Sequence, residues 1–190
     1  MKFPLIHPEA ECTSTFRAYR TVLSQFNGLP LLNLHVRPRE AINDLKRIIA
    51  GEPPNVVEAD AIISLQSLDW RVQLIGCGAM LVGIKTQALL DTVWGRLYRH
   101  SWVAPQLAAT ACLLDPAFAE RGLDLVSDAH VGLKSFISVV HLLRQRTKMP
   151  LTAELQTKFA EFAPKYPDNC EEIIDCWLQA IDGLRDLLSI

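Results

Sequence analysis

The side chains best suited to chemistry lie in one stretch, residues 94–102, which reads WGRLYRHSW. Aromatic residues and arginine are the types that most often anchor protein interfaces. An arginine beside an aromatic ring can also hold a phosphate or a carboxylate group. The candidates for a binding surface are Trp94, Arg96, Tyr98, Arg99, His100 and Trp102. In the alternative interpretation, the two tryptophans fill a gap between packed helices and the arginines are solvated.

A second basic group, formed by Arg144, Arg146 and Lys148, ends a later apolar pattern. It is a candidate contact for an anion, and we include Arg144 and Arg146 among the interface candidates. Positive charges are also favoured at the C-terminus of a helix, so a solvated helix end is the simpler explanation.

Patterns typical of enzymes and metal sites are missing from the sequence. No GxSxG, P-loop or GxGxxG motif is present. The histidines show no metal-ligand spacing among themselves, since even His130 and His141 lie three helical turns apart. The carboxylates of Glu171, Glu172 and Asp175 fall on the polar face of the last helical pattern, with no facing element that the sequence identifies. We therefore expect no catalytic residue, no metal ion and no cofactor.

The composition narrows the class of protein. Of 190 residues, 49% are apolar, which is enough for a continuous core, and 19 basic against 21 acidic residues argue against a protein that coats nucleic acid. Five cysteines without a CxxC pair favour a reducing compartment over a disulfide framework. The N-terminus lacks the apolar core of a signal peptide, and the longest apolar stretch, 74–84, is shorter than the ~20 residues that cross a bilayer. We expect a cytoplasmic protein without membrane contact.

Two similar segments organise residues 69–127. The first begins DWRVQLIGCGAMLVG and the second SWVAPQLAATACLLDP, and each is followed by a further helical pattern. Gly76 and Gly78 are poor choices within a helix, each costing ~1 kcal/mol relative to alanine. Their presence is explained if another helix approaches closely there. We interpret residues 69–127 as two similar helical hairpins packed side by side.

Helical periodicity also runs through most of the remaining chain. Thr86 and Thr152 each offer a hydroxyl that can cap the helix that follows. No segment alternates with period two, so we expect an all-α fold with one domain over residues 1–190. Besides the hairpins, helices are expected at 13–28, 38–51, 56–67, 130–146 and 152–162.

The two ends of the chain have different expected roles. For residues 1–11 we expect an extended arm. Residues 168–188 predict a long capping helix, with Asp168 as its N-cap and Glu171 completing a capping box. Its wide apolar face should seal the exposed core of the preceding hairpins.

Residues 69–80 resemble the first helix of a HEAT repeat, in which an acidic residue precedes aliphatic, long polar and small residues. The matching residues are Asp69, Val72, Gln73, Gly76, Cys77, Ala79 and Met80 in the first segment, and Pro105, Gln106, Ala109, Thr110, Cys112 and Leu113 in the second. The chain departs from the pattern at Trp102, where aspartate would fall, and it has glutamine where the family usually has arginine. The resemblance covers about a third of the chain. It implies a HEAT-like right-handed stack of antiparallel helical hairpins that binds partners along one surface.

These observations favour a non-enzymatic protein-binding α-solenoid, such as an adaptor or a bacterial toxin-neutralising immunity protein. The expected partner is another protein, and a homodimer stays open. One alternative is a HEAT-like protein that binds nucleic acid or repairs DNA, although the near-neutral charge makes nucleic acid an unlikely partner. Another alternative is a helical protein with a small-ligand pocket between its helices.

Overall fold

The computed structural model describes residues 38–147 and 149–190, and every regular element in these residues is helical. The all-α prediction is therefore confirmed for them. The expected arm at 1–11, the helix at 13–28 and Lys148 lie outside the described residues. The helices are α1 Pro38–Ala50, α2 Pro54–Gln66, α3 Trp70–Leu81, α4 Gln87–Tyr98, α5 Ala104–Leu114, α6 Phe118–Ser127, α7 Leu133–Arg146, α8 Ala153–Phe162 and α9 Cys170–Asp182, with 3-10 turns at Ala163–Lys165 and Arg185–Leu187.

Two helices begin where a threonine hydroxyl caps them, as the sequence predicts. The hydroxyl of Thr86 accepts a hydrogen bond from the Leu89 amide at the start of α4, and that of Thr152 accepts one from the Leu155 amide at the start of α8, both at 3.3 Å. Each cap satisfies one of the N–H groups that the first turn of a helix leaves unpaired.

The predicted capping helix at 168–188 is wrong in its bounds and in its cap. The helix α9 covers Cys170–Asp182, and its N-cap is Asn169, which has a left-handed φ of 42°. The Asp168 carboxylate instead accepts a hydrogen bond from the Lys134 ammonium at 2.7 Å. The Asp168 carboxylate is thus bound to α7 instead of capping α9.

The helices pack as consecutive pairs: α2 with α3, α4 with α5, and α6 with α7. Successive pairs stack because α2 contacts α4, while α5 contacts both α3 and α7. The repeat comparison instead predicted hairpins of α3 with α4 and of α5 with α6. The observed pairing is thus shifted by one helix along the chain.

Gly76 on α3 marks the point where α2 and α3 approach each other closely. A Cβ atom added at Gly76 would lie 2.6 Å from Cγ of Leu65 and 3.3 Å from the carbonyl oxygen of Ala61, both on α2. The small residue thus admits the helix that precedes α3 in the chain, and the two form the first consecutive pair.

The helices α3 and α5 lie in the middle of the domain. Residues 72–81 of α3 and 104–111 of α5 are all buried. They contact the row of α2 and α4 on one side, while α1 packs on α3, and α9 packs on α5 and α7. A helix that is apolar on all sides is stable only when it is covered on all sides. The domain therefore has an additional layer over its second row of helices.

Gly76→Ala should lower the free energy of unfolding by ~1–3 kcal/mol, because the added methyl group overpacks the contact with Leu65. Gly95 on α4 is the matched control, since a Cβ there meets no atom within 4 Å. Gly95→Ala should raise the free energy of unfolding by ~0.5–1 kcal/mol through helix propensity. Urea unfolding followed by circular dichroism measures both changes. A stabilising Gly76→Ala would show that α2 and α3 are not in close contact.

Candidate functional site

Three turns lie side by side at one end of the helix pairs: residues 67–69 between α2 and α3, 99–103 between α4 and α5, and 128–132 between α6 and α7. We call these residues the turn edge. The first two turns are joined by Gln73, and the second and third meet where a Cβ at Gly132 would clash with the His100 ring. The turn edge brings together residues from three separate parts of the sequence.

Gln73 holds the first two turns together from inside the domain. Its amide nitrogen donates to the carbonyl oxygen of Ser67 at 2.6 Å, and its amide oxygen accepts from the Ser101 hydroxyl at 2.5 Å. The side chains of Gln73 and Ser101 are both buried. Sequence reasoning missed this connection. A signal was present, because a glutamine within an otherwise apolar helix must find hydrogen-bond partners.

Trp94, the first of the predicted interface residues, belongs to the core. Its ring is buried and packs 5.7 Å from that of Phe118, while its Nε1 donates to Oδ2 of Asp115 at 2.7 Å. The Arg121 guanidinium lies 5.3 Å from the Trp94 ring and 3.4 Å from the same Asp115 oxygen. Trp94 therefore joins α4 to α6, and it is removed from the interface candidates.

Trp102, only eight residues further along, is in the opposite situation. Its side chain is 72% exposed, so the interpretation that it fills a gap between helices is wrong. The Lys134 ammonium lies 5.3 Å from its ring centroid. Leu68, on the neighbouring turn, is 68% exposed. The turn edge thus presents two large apolar side chains to solvent.

Arg96 and Arg99 lie shortly before Trp102 in the sequence and have no acidic partner among the described residues. Arg96 is half-buried, and its Nε has no hydrogen-bond partner among the described residues. Partial burial, and then the positive charge of Arg99, lower the pKa of Arg96. In the described part of the chain, neither arginine forms an ion pair. Arg96 is therefore a partly desolvated cation that has no counter-ion in residues 38–147 and 149–190.

Tyr98 and His100 complete the predicted group. Tyr98 is exposed at the end of α4, and partial burial, together with the carboxylates of Asp124 and Asp128, raises the pKa of Tyr98. His100 is exposed and has a φ of 60°, a left-handed conformation that is uncommon outside glycine. Backbone strain of this kind often marks functional positions.

An open cleft of about 340 Å³ lies beside His100 and Trp102. Its remaining lining comes from the start of α7 and the connection that precedes α9. The lining residues are His100, Ser101, Trp102, Gly132, Leu133, Lys134, Ser135, Tyr166 and Asp168. The sequence identified only His100 and Trp102 among them as candidates, because the others are brought in by distant elements.

Arg144 and Arg146 do not join this group. They lie in the last turn of α7, whereas the cleft lies at the start of that helix, and 14 residues of helix span ~20 Å. The Arg144 guanidinium stacks 5.0 Å from the ring of Phe159, and the charge of Arg146 acts on Cys112. The two arginines therefore belong to a different surface.

His141 forms a polar cluster that the sequence did not predict. Its Nδ1 lies 3.1 Å from Glu171 and its Nε2 lies 3.0 Å from Asp175, so both ring nitrogens face carboxylates of α9. This arrangement connects α7 to α9. In the residues that the structure describes, no histidine ring hydrogen-bonds to a serine or cysteine.

The described cysteines are free thiols at Cys77, Cys112, Cys170 and Cys176. Burial raises the pKa of Cys77 to about 12 and that of Cys112 to about 11. A thiol with such a pKa is protonated at neutral pH and is a poor nucleophile. Within the described ranges, no group of three or more histidine, cysteine or acidic residues is arranged to hold a metal ion.

No helix in the described part of the chain has the length and apolar character needed to cross a membrane. Comparison of the chain with protein-family models, with curated proteins and with solved structures finds no match. Function must therefore be argued from the geometry of the turn edge and its cleft.

Asp115→Ala should lower the free energy of unfolding by ~2–4 kcal/mol, because it leaves the buried Trp94 N–H without an acceptor and removes one of the two carboxylates that face Arg121. Asp124→Ala, an exposed change on α6, should stay within ~0.5 kcal/mol of the unchanged protein. Chemical unfolding followed by tryptophan fluorescence measures both. Equal effects of the two substitutions would contradict a structural role for the Trp94–Asp115 bond.

Proposed function

We propose that this protein is a non-enzymatic binding protein that recognises another protein through its turn edge and the adjoining last turn of α4, which carries Arg96. In this proposal, the partner supplies a carboxylate to Arg96 and Arg99 and an apolar surface to Trp102. The observation that carries the proposal is the partly buried Arg96 guanidinium, which has no counter-ion among the described residues.

The cost of burying a charge supports an acidic partner group. A charged group taken out of water is stabilised only when it is paired and hydrogen-bonded. Arg96 is partly desolvated next to the like charge of Arg99, which adds to that cost. A carboxylate bound between the two arginines would accept hydrogen bonds from their terminal nitrogens and offset the repulsion. Arginine is well suited to this role because its planar group binds a carboxylate in a bidentate manner.

The exposed apolar residues support a protein surface as the source of that carboxylate. Tryptophan and arginine are the types that contribute most of the binding energy at interfaces. Trp102 and Leu68 are both largely exposed on adjacent turns. A protein partner bound at the turn edge would remove both apolar side chains from water, which is favourable.

We also propose that the three helix pairs form a short HEAT-like right-handed stack. The contacts of α2 with α4, and of α5 with α3 and α7, support this arrangement. A stack of this kind binds along one surface. Because α1 and α9 cover the second row of helices, the turn edge is the surface that we assign to binding. An adaptor role and a toxin-neutralising immunity role both fit it, and the four free thiols of the described residues support a cytoplasmic location.

Nucleic acid is the less favoured partner. Several basic side chains that a phosphate backbone would need already have acidic partners, among them Arg39 with Asp186, Arg121 with Asp91, and Lys134 with Asp168. A protein that binds nucleic acid is expected to have a continuous basic surface instead.

The test is capture of partners from the native lysate by the unchanged protein and by two variants, Trp102→Ala and the double variant Arg96→Ala with Arg99→Ala. A stoichiometric protein partner should be recovered by the unchanged protein and lost by about tenfold or more in each variant, as is typical of interface anchors. Met149→Ala is the matched control, because Met149 is also exposed and apolar but lies outside the turn edge. The Met149→Ala variant should capture the partner as well as the unchanged protein does.

Melting temperatures show whether a variant that loses the partner is still folded. Each variant should melt within a few degrees of the unchanged protein, since surface substitutions change stability little. The proposal fails if the variants retain the partner as well as Met149→Ala does, or if nucleic acid is the species recovered. It also fails if the double arginine variant loses much of its stability while binding is intact.

A further inference from the structure

The cleft lies at the start of α7, where backbone amides have no acceptor among the described residues. It is lined by the first residues of α7, which no side chain caps. The first N–H groups of an α-helix have no partner within the helix. The Phe136 amide donates to the carbonyl oxygen of Gly132 at 2.9 Å, whereas the amides of Leu133, Lys134 and Ser135 have no acceptor in the described part of the chain.

A serine hydroxyl points to the same place independently. Ser135 lines the cleft and is only 1% exposed as a residue, and its hydroxyl makes no hydrogen bond to any described residue. This oxygen is not among the fully enclosed, unpaired polar atoms of the described residues, so the hydroxyl is accessible from the cleft. One turn further along α7, the equally buried Ser138 does have a partner, since its hydroxyl donates to the carbonyl oxygen of Lys134 at 2.7 Å.

Lys134 adds a positive charge to these donors. Its ammonium group lies 2.7 Å from Asp168. An ammonium has three N–H donors, so this bond leaves two that can serve a ligand. The Asp168 carboxylate also lines the cleft and would repel an anion, but its negative charge is already paired with the Lys134 ammonium. The start of a helix also carries a partial positive charge that favours a negative ligand.

We propose that the cleft binds a small molecule with one oxyanion group, a phosphate or a carboxylate, attached to an aromatic body. The oxyanion accepts hydrogen bonds from the free amides at the start of α7, from the Ser135 hydroxyl and from Lys134. The aromatic body stacks on the exposed Trp102 ring. A cleft of about 340 Å³ is larger than a lone oxyanion needs and falls within the size range of small-ligand sites.

This site goes beyond the proposed recognition of a protein partner and does not depend on it. It uses the start of α7, Ser135 and Lys134, the protein interface uses Arg96 and Arg99, and Trp102 contributes to both. Substitution of Ser135 or Lys134 therefore leaves protein recognition measurable, and substitution of the two arginines leaves cleft binding measurable.

The test is a titration of ¹⁵N-labelled protein with inorganic phosphate, phenyl phosphate and phenylacetate, at constant ionic strength because salt screens charges. The amide signals of Leu133, Lys134 and Ser135 should shift and saturate. Phenyl phosphate should bind more tightly than inorganic phosphate, and Trp102→Ala should remove that advantage. Tighter binding of phenylacetate than of phenyl phosphate identifies a carboxylate ligand, and the reverse order identifies a phosphate.

Two variants decide the role of the cleft residues. Ser135→Ala should weaken binding by about tenfold, the loss expected for a hydrogen bond to a charged group. Ser138→Ala, the matched buried serine, should change it by less than about twofold. Lys134→Gln provides a second test that leaves the Ser135 hydroxyl in place, and it should also weaken binding by about tenfold. The absence of saturable shifts, or equal binding by the Ser135 and Ser138 variants, would overturn the proposal.

Discussion

The fold depends on one constraint: α3 and α5 are apolar on every side and must be enclosed by other helices. Residues 72–81 and 104–111 are buried throughout, which an open two-row stack could not achieve, because its second row would face solvent. The helices α1 and α9 provide the missing cover. The sequence resembles an open repeat, but the hydrophobic effect favours a closed domain, because α3 and α5 are apolar on all sides.

In the proposed function, this enclosure determines where binding can occur. The surface along which a HEAT-like stack would bind a partner is covered, so we assign binding to the turn edge, where Trp102 and Leu68 are exposed. There Gln73 holds two turns together from below, while Trp102 and Arg99 extend outward. A rigid support beneath exposed anchors keeps their positions fixed before binding, which lowers the entropic cost of association.

Local features of the fold were predictable from the sequence, whereas features set by distant contacts were not. The caps at Thr86 and Thr152 depend on residues within one turn, so the sequence identifies them. Asp168 has the same local signal, but a lysine 34 positions earlier in the chain binds it instead. Gly76 correctly indicates a close helix contact, although periodicity cannot say whether the neighbour precedes or follows.

The candidate site shows the same limit. Trp94 and Trp102 are equivalent in type and in sequence context, yet one is buried on Asp115 and the other is exposed. The cleft was not predictable, because Ser135 and Asp168 come from elements that meet the turn edge only in the folded chain.

The enclosure of α3 and α5 is tested most directly by native-state hydrogen exchange. The amides of residues 72–81 and 104–111 should exchange only through global unfolding, with the same free energy as that measured by denaturant. The exposed helix α8 should exchange through local openings of lower free energy. If the amides of α3 and α5 exchanged as readily as those of α8, the second row would be open to solvent, and the account of a closed domain would be contradicted.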